Sequence, residues 1–366
     1  MVDPSDTPSS MRALAIETSC DETAVAIVRR EADGRAVIES ETVLSQIADH
    51  APYGGVVPEI AARAHGEHLD HLIAATLKEA DLHPADLDLV AATAGPGLIG
   101  GVLVGMVTGQ AMASAAGKPF AAINHLEGHA LSPRLGEEVA FPYLLFLVSG
   151  GHTQILCVTG VGQYERWGTT LDDALGEAFD KTAKLLQLGF PGGPAVERMA
   201  ATGDPTRFQL PEPLKGKPGC DFSFAGLKTA LRLTAEKHAP LSDQDVSDLC
   251  ASFQITIGRI VGNRLRHALD RITDQISRAP TLVAAGRVAA NPHLRKVLTA
   301  LLDERAGRLV VPPAKHCTDN AAMIAWAALE RQAAGLPSVD PIARPRWPLD
   351  SDATPKLGGG RKGARA

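Results

Sequence analysis

Apolar runs split by short polar turns open the chain. Met11–Thr18 predicts a strand, Ser19–Glu22 a polar turn and Thr23–Val28 a second strand. Arg35–Leu44, with β-branched residues between polar ones, predicts a third, so the start reads as a meander. After the Gly/Pro loop Tyr53–Pro58 the period lengthens. Ile60, Ala64, Leu69, Leu72, Ile73 and Leu77 recur at helical spacing, predicting a helix over about Glu59–Ala80. Leu87–Thr93 then reads as a buried strand, Gly95–Gly101 as a turn, Val102–Ala116 as a small-residue helix and Phe120–Ile123 as a short strand.

The second half begins the same way. Tyr143–Val148, the turn Ser149–His152 and Thr153–Val158 predict strand, turn and strand, with Tyr164–Thr170 as a third strand. Asp173–Leu188 is an amphipathic helix pattern closed by Gly189 and Pro191, and Pro211–Asp221 reads as a loop. Helices are expected over about Gly226–His238 and Asp245–Ser277, a strand at Thr281–Ala285, a helix at Asn291–Leu302 and a strand at Leu309–Val311. A last helix runs from a capping Thr318 to about Ala334. The halves rhyme: L-A-I-E-T-S-C-D-E-T-A-V answers L-F-L-V-S-G-G-H-T-Q-I-L, and V-A-A-T-A-G answers L-V-A-A-G-R. This predicts an α/β fold made by duplication of a βββαβαβα unit, with two lobes around a cleft. Residues 11–124 with 311–349 would form one lobe and 125–310 the other, leaving 1–10 and the basic stretch 350–366 as disordered tails.

Composition narrows the classes. At 366 residues the chain is too long for one ordinary core, which agrees with two lobes. A net charge of -6 gives no global field for nucleic acid, so such a partner needs a local patch or a helper subunit. Five scattered cysteines without a C-x-x-C pair fit a reducing compartment. The polar N-terminus lacks the features of a signal or transit peptide, and no apolar run reaches about 18 residues, so the expected location is the cytoplasm with no membrane span.

Candidate chemistry centres on N-H-L-E-G-H at Asn124–His129. If a helix opens near His125, then His125 and His129 share one face, which is half of a metal site; helix-start packing is the alternative. Asp319, in C-T-D-N before the last helix, occupies the same kind of strand-to-helix junction. Two imidazoles and one carboxylate with open positions suit Fe(II), or Zn(II) acting as Lewis acid. Asp319 could instead only support the helix N-terminus. Ser149, Gly150 and Gly151 form a turn whose backbone N–H groups could converge on an anion. Asp21 and Glu22, in the matching turn of the first half, could handle chemistry across the cleft or simply be solvated. Asp180 could accept from ribose hydroxyls, and Gly192 and Gly193 would admit a sugar or base close to the backbone. Gly95–Gly100 matches G-x-G-x-x-G, but no acid follows about 20 residues on, so these glycines read as strand–helix packing. His65, His68 and His71 read as a polar helix face.

Ten motifs in order, from I-E-T-S-C-D-E-T (Ile16–Thr23) and Y-G-G-V-V-P-E (Tyr53–Glu59) through L-V-S-G-G-H-T, G-E-A-F-D-K and S-F-A-G-L-K-T to V-A-A-N-P-H-L-R and C-T-D-N, cover about Met11–Leu349. In these the chain resembles the tRNA N6-adenosine threonylcarbamoyltransferases, of the bacterial type. The resemblance implies an actin-like ATPase fold of the acetate kinase/Hsp70 superfamily. It implies transfer of a threonylcarbamoyl group from threonylcarbamoyl-adenylate to N6 of the adenosine 3′-adjacent to the anticodon, in tRNAs reading codons that start with A. It places metal ligands at His125, His129 and Asp319, and substrate contacts at Leu147, Val148, Ser149, Gly150, Gly151, Asp180, Gly193 and Asn291. It implies a catalytically silent paralogue (TsaB) and a small ATPase (TsaE) as partners, and a homodimer in isolation. Asp21 or Glu22 would orient or deprotonate the adenine amine. Two positions depart from the family pattern: Arg287 stands where Gly is usual, and Ala321 where many members have Gly. Arg287 could add a phosphate contact or point outward.

Two other readings compete. A zinc protease needs H-E-x-x-H, whereas Glu127 lies about 200° round the helix from His125 and would face away. A non-catalytic scaffold would not need a complete His/His/Asp set.

Overall fold

The computed structural model describes residues 10–354. Ten strands make two five-stranded mixed sheets. The first holds β1 (Met11–Glu17), β2 (Glu22–Arg30), β3 (Ala36–Ser45), β4 (Leu89–Gly95) and β5 (Phe120–Asn124) in the order β3-β2-β1-β4-β5. The second holds β6 (Tyr143–Val148), β7 (Thr153–Gly160), β8 (Gln163–Thr169), β9 (Thr281–Ala285) and β10 (Arg308–Val310) in the order β10-β9-β6-β7-β8. In each sheet the first strand is central, pairing antiparallel with the second and parallel with the fourth. The two orders are the same topology, so this is the duplicated, actin-like arrangement that the sequence predicts. The central strands are apolar along their length because both faces are covered: Ala13–Ile16 and Leu144–Leu145 are fully buried.

Helix Ile99–Ala116 lies across the end of β1. Its glycines permit this. A Cβ on Gly101 would sit 2.3 Å from the Thr18 carbonyl oxygen, and one on Gly105 would sit 2.2 Å from Thr18 Oγ1. In the G-x-G-x-x-G run itself, a Cβ on Gly97 would sit 2.6 Å from the Ser19 carbonyl oxygen and one on Gly100 2.9 Å from Ala62 Cβ, so these glycines do serve close packing, but against the first turn and a neighbouring helix. By length and composition this helix could also cross a membrane, contrary to the expectation that no segment would qualify. Here Val102, Met106 and Ala113 are buried, while Ile99, Leu103 and Val107 remain exposed.

The final helix, Ala321–Ala333, returns to the first sheet. It is buried on all sides through Glu330 and packs with Ala13, Ala15, Ala24 and Val28. Its small residues let it lie close to the strands, and Glu330 is satisfied by Arg134 (2.8 Å). That return carries Asp319 back beside helix His125–Leu131, 190 residues away in sequence.

Several boundaries differ from expectation. Gly192–Ala200, where the pattern predicts no element, is a helix, because Ala195, Val196 and Ala200 are buried against the second core. The last helix is capped by Asn320, whose side chain accepts from the Met323 N–H (2.9 Å), not by Thr318. The expected tails lie outside the described residues except for Ser10 and 350–354. That last stretch is not free: the Arg166 N–H donates to Asp350 Oδ2 (2.8 Å) and Arg166 Nη2 donates to the Thr354 carbonyl.

Candidate active site

The helix that opens at His125 begins where β5 ends. Asn124 caps it, its Oδ1 accepting from the Leu126 N–H (2.8 Å), while its Nδ2 donates to the Trp347 carbonyl. The cap fixes the first turn, and the i, i+4 spacing brings the two imidazoles together edge to face, centroids 4.7 Å apart. Asp319 completes the cluster. Its Oδ1 lies 3.1 Å from His129 Nε2 and 3.5 Å from His125 Nε2, and one ligand atom from each of the three lies within 4.8 Å of the others.

Glu17, the last residue of β1, stands behind the cluster. It is fully buried, and its Oε2 lies 3.0 Å from His125 Nδ1. It also accepts from the Ser19 N–H and the Thr93 hydroxyl, so both of its oxygens are engaged. Accepting from Nδ1–H leaves His125 Nε2 as the atom that faces Asp319. Burial alone would drive His125 toward neutrality, but Glu17 and Asp319 on either side raise its pKa well above the ordinary range. Burial likewise opposes ionisation of Asp319, and the two histidines overcome it, holding the carboxyl well below its usual range.

Two carboxylates, Glu17 buried and Asp319 partly exposed, with two imidazoles between them form a set that a divalent cation can balance as protons do. Ligand atoms about 2.0–2.2 Å from one ion stand about 3–3.5 Å apart, the separation of Asp319 Oδ1 from each imidazole here. His129 Nδ1 is buried without a hydrogen-bond partner. The residues present therefore fit a divalent metal.

This cluster faces a cavity of about 900 Å³ between the lobes. That is near the top of the roughly 300–1,000 Å³ range of small-ligand sites. Among the predicted residues, Asp21, His125, Ser149, Gly150, Gly151, Asp180, Gly193, Asn291 and Asp319 line it. A Cβ on Gly150, Gly151 or Gly193 would meet nothing within 4 Å, so open space lies over both glycine segments. Asp180 Oδ1 accepts from the Gly192 N–H (2.8 Å), fixing the Gly192–Ala200 helix against it. Burial raises the Asp180 pKa against that bond. Asn291 caps the following helix through the Leu294 N–H and donates to Glu197 and Gln254.

Other predicted residues are not brought to the wall. Leu147 and Val148 are fully buried strand residues whose side chains belong to the core. The main chain at Val148 matters instead: a Cβ on Gly286 would lie 2.3 Å from the Val148 carbonyl oxygen, so the turn after β9 presses on the end of β6. Glu22 and His129 sit behind the lining. Burial first, then Asp319 and Asp21, push the Glu22 carboxyl up to about 9, although Arg287 opposes. Arg287 does not point outward. Its Nη2 crosses the cleft to Glu22 Oε1 (2.9 Å) and lies 3.8 Å from Asp21 Oδ1.

Glu17 escaped the sequence reading, though a carboxylate ending an apolar strand is a visible signal. His65 was misplaced on a polar face. It is fully buried, with Nδ1 at 2.7 Å from Thr23 Oγ1 and Nε2 at 3.1 Å from the Cys20 carbonyl oxygen, and it braces the Thr18–Thr23 turn. Glu127 faces away from the cluster, as expected. It accepts from Tyr164 (3.0 Å) and pairs with Arg331 (3.1 Å), so it cannot serve a metal-bound water.

Fold and site together define a two-lobed, actin-like α/β protein with a His/His/Asp cluster at the cleft, its histidines buried and its aspartate partly exposed. The family model for TsaD, tRNA N6-adenosine threonylcarbamoyltransferase, matches residues 37–326. A Brucella anthropi protein of that name is 60% identical over 359 residues, covering 97% of this chain and 100% of its own. One from Agrobacterium fabrum is 58% identical over 364 residues, covering 98% and 100%. The solved structure of T. kodakarensis HypF superposes with a TM-score of 0.60, covering 90% of this chain and 49% of that one at 14% identity, which shows a shared fold. The chain belongs to the tRNA N6-adenosine threonylcarbamoyltransferase family.

Proposed function

We propose that this chain moves a threonylcarbamoyl group from threonylcarbamoyl-adenylate to N6 of the adenosine 3′-adjacent to the anticodon, in tRNAs reading codons that start with A. The observation that carries it is the convergence of His125, His129 and Asp319 on a cleft whose opposite wall is the open Ser149–Gly151 turn. The three ligands would hold one divalent ion, Fe(II) or Zn(II), which when bound supplies charge stabilisation to an oxygen of the substrate. Glu17 holds His125 in the ligating orientation. The backbone of Ser149–Gly151 binds the adenylate in the open space above it. Asp180 accepts from a ribose hydroxyl with the oxygen that Gly192 does not use. Adenine N6 is a weak nucleophile, so holding it in line with the carbamoyl carbon contributes much of the rate. Asp21 lines the cavity and takes or relays the amine proton, with Glu22 behind it.

A paralogous partner of the TsaB kind and a small ATPase of the TsaE kind fit a chain whose net charge is -6, since they would supply what this surface lacks for tRNA. The exposed apolar stripe Ile99, Leu103 and Val107 suits such a protein partner. The site of action is then the cytoplasm.

The test is reconstitution with the partner proteins, tRNA transcript, threonine, bicarbonate and ATP, followed by nucleoside analysis. The parent chain is expected to form threonylcarbamoyladenosine. Asp319→Ala should lose bound metal and about 10²–10³-fold in rate, several kcal/mol of charge stabilisation at tenfold per 1.4 kcal/mol. Normal metal content with the parental rate in that variant would sink the cluster's role.

A further inference from the structure

We infer that Arg287 is a specificity-determining residue of this cleft, a guanidinium that takes the phosphate of the nucleotide portion of the substrate and rests on Glu22 and Asp21 between ligands. The inference rests on the adenylate reading above. Arg287 follows Gly286 at the carboxyl end of β9, the end of an α/β sheet where ligands bind. Gly286 has φ +94, and its close approach to the Val148 carbonyl fixes where Arg287 leaves the sheet, beside the Ser149–Gly151 turn.

Three arginines line the cavity: Arg198, Arg287 and Arg346. Arg198 and Arg346 are exposed at its rim, while Arg287 is half-buried between the lobes. Its charge reaches acids on both sides, favouring ionisation of Asp180 on one lobe and of Glu22 on the other. Only Nη2 is engaged. Among the described residues, Nε and Nη1 make no hydrogen bond, so part of the planar donor fork that matches a phosphate is unspent. In the same cavity, the open space over Gly150 and Gly151 leaves room for the anion. A phosphate here could belong to the nucleotide or to the tRNA backbone, and the experiment separates them.

The full chain is titrated calorimetrically with AMP and with adenosine, and the KM for tRNA is measured in the reconstituted reaction. Arg287→Ala should weaken AMP about tenfold or more while leaving adenosine within about twofold, the loss expected for a charge-assisted hydrogen bond to phosphate. Arg287→Lys should recover part of the AMP affinity, since it keeps the charge and loses the fork. The KM for tRNA should stay at the parental value. Equal loss for AMP and adenosine, or parental AMP affinity, overturns the inference; so does a raised tRNA KM with AMP unaffected. If Arg287→Ala does not fold, Arg287→Lys decides: parental AMP affinity in that variant argues against a fork contact. A parent chain that binds neither nucleotide refutes the adenylate reading itself, and this inference with it.

Discussion

The two strand–turn–strand units occupy equivalent places in equivalent sheets, yet their turns have opposite characters. Thr18–Glu22 is closed. Helix Ile99–Ala116 presses on it through glycines, His65 braces it from behind, and Asp21 and Glu22 are buried with one oxygen each unpartnered. Ser149–His152 is open on one side: Ser149 and His152 close a tight turn on themselves and Gly176 presses on Ser149 and Gly150, yet a Cβ on Gly150 or Gly151 would meet nothing within 4 Å. One copy of the duplicated unit thus encloses charge and the other leaves a vacancy. Duplication supplied two identical frames, and the division between chemistry and binding lies in what packs on each turn. Burial is costly for the acids and cheap for the glycines, so only the first turn needs the extra support of His65 and Arg287.

The largest effect should come from the closed side. Glu17→Gln keeps shape but no longer offers two carboxylate oxygens to His125, Ser19 and Thr93. Metal affinity should fall about 10–100-fold, as for other carboxylates that orient a ligating histidine. Competition against a calibrated chelator reads this directly. Unchanged affinity would mean that the closed turn does not support the metal cluster at all.

Next comes a matched pair of glycine substitutions. Gly101→Ala puts a methyl group 2.3 Å from the Thr18 carbonyl and should cost about 1–3 kcal/mol of stability by overpacking. Gly150→Ala meets open space and should leave stability nearly unchanged while weakening nucleotide binding. Thermal melts with and without AMP test both at once. If the two variants melt alike, the contrast between a closed and an open turn is wrong.

The sequence was most readable where the chemistry follows a local period. Apolar runs mark all ten strands to within about two residues, and i, i+4 spacing marks His125 and His129. Asp319 was readable as a junction residue, although what joins it to them is a buried helix crossing back to the first sheet. Long-range partnerships left no local trace. His65, His68 and His71 look alike along the helix, and contacts with Cys20 and Thr23, 45 and 42 residues away, separate the first from the others. Arg287 meets Glu22 across 265 residues, so neither one announces the other. Leu147 and Val148 were placed in the site by motif alone. The strand pleat instead turns their side chains into the core and leaves only backbone near the ligand space.

The smallest effect is a slope, and it bears on whether the closed turn is charged at rest. Burial and the neighbouring acids move Glu22 from an ordinary 4.5 to about 9. Between those values the folded chain keeps a proton that the unfolded chain has released. The stability this group contributes is therefore full below about pH 4.5 and is lost as pH rises toward 9. Gln cannot titrate, so the melting temperature of Glu22→Gln minus that of the parent should widen steadily from pH 5 to pH 9. Both chains are measured with chelator, because a cation at Asp319 would relieve the repulsion that raises Glu22. About 1 kcal/mol of this linkage moves the melting temperature of a chain this long by roughly 1–2 °C. A gap independent of pH would mean that Glu22 is ionised in the fold, held so by Arg287. The first turn would then hold an ion pair in which Glu22 could also accept a proton, whereas a widening gap means that Glu22 is protonated at neutral pH and leaves the general-base role to Asp21.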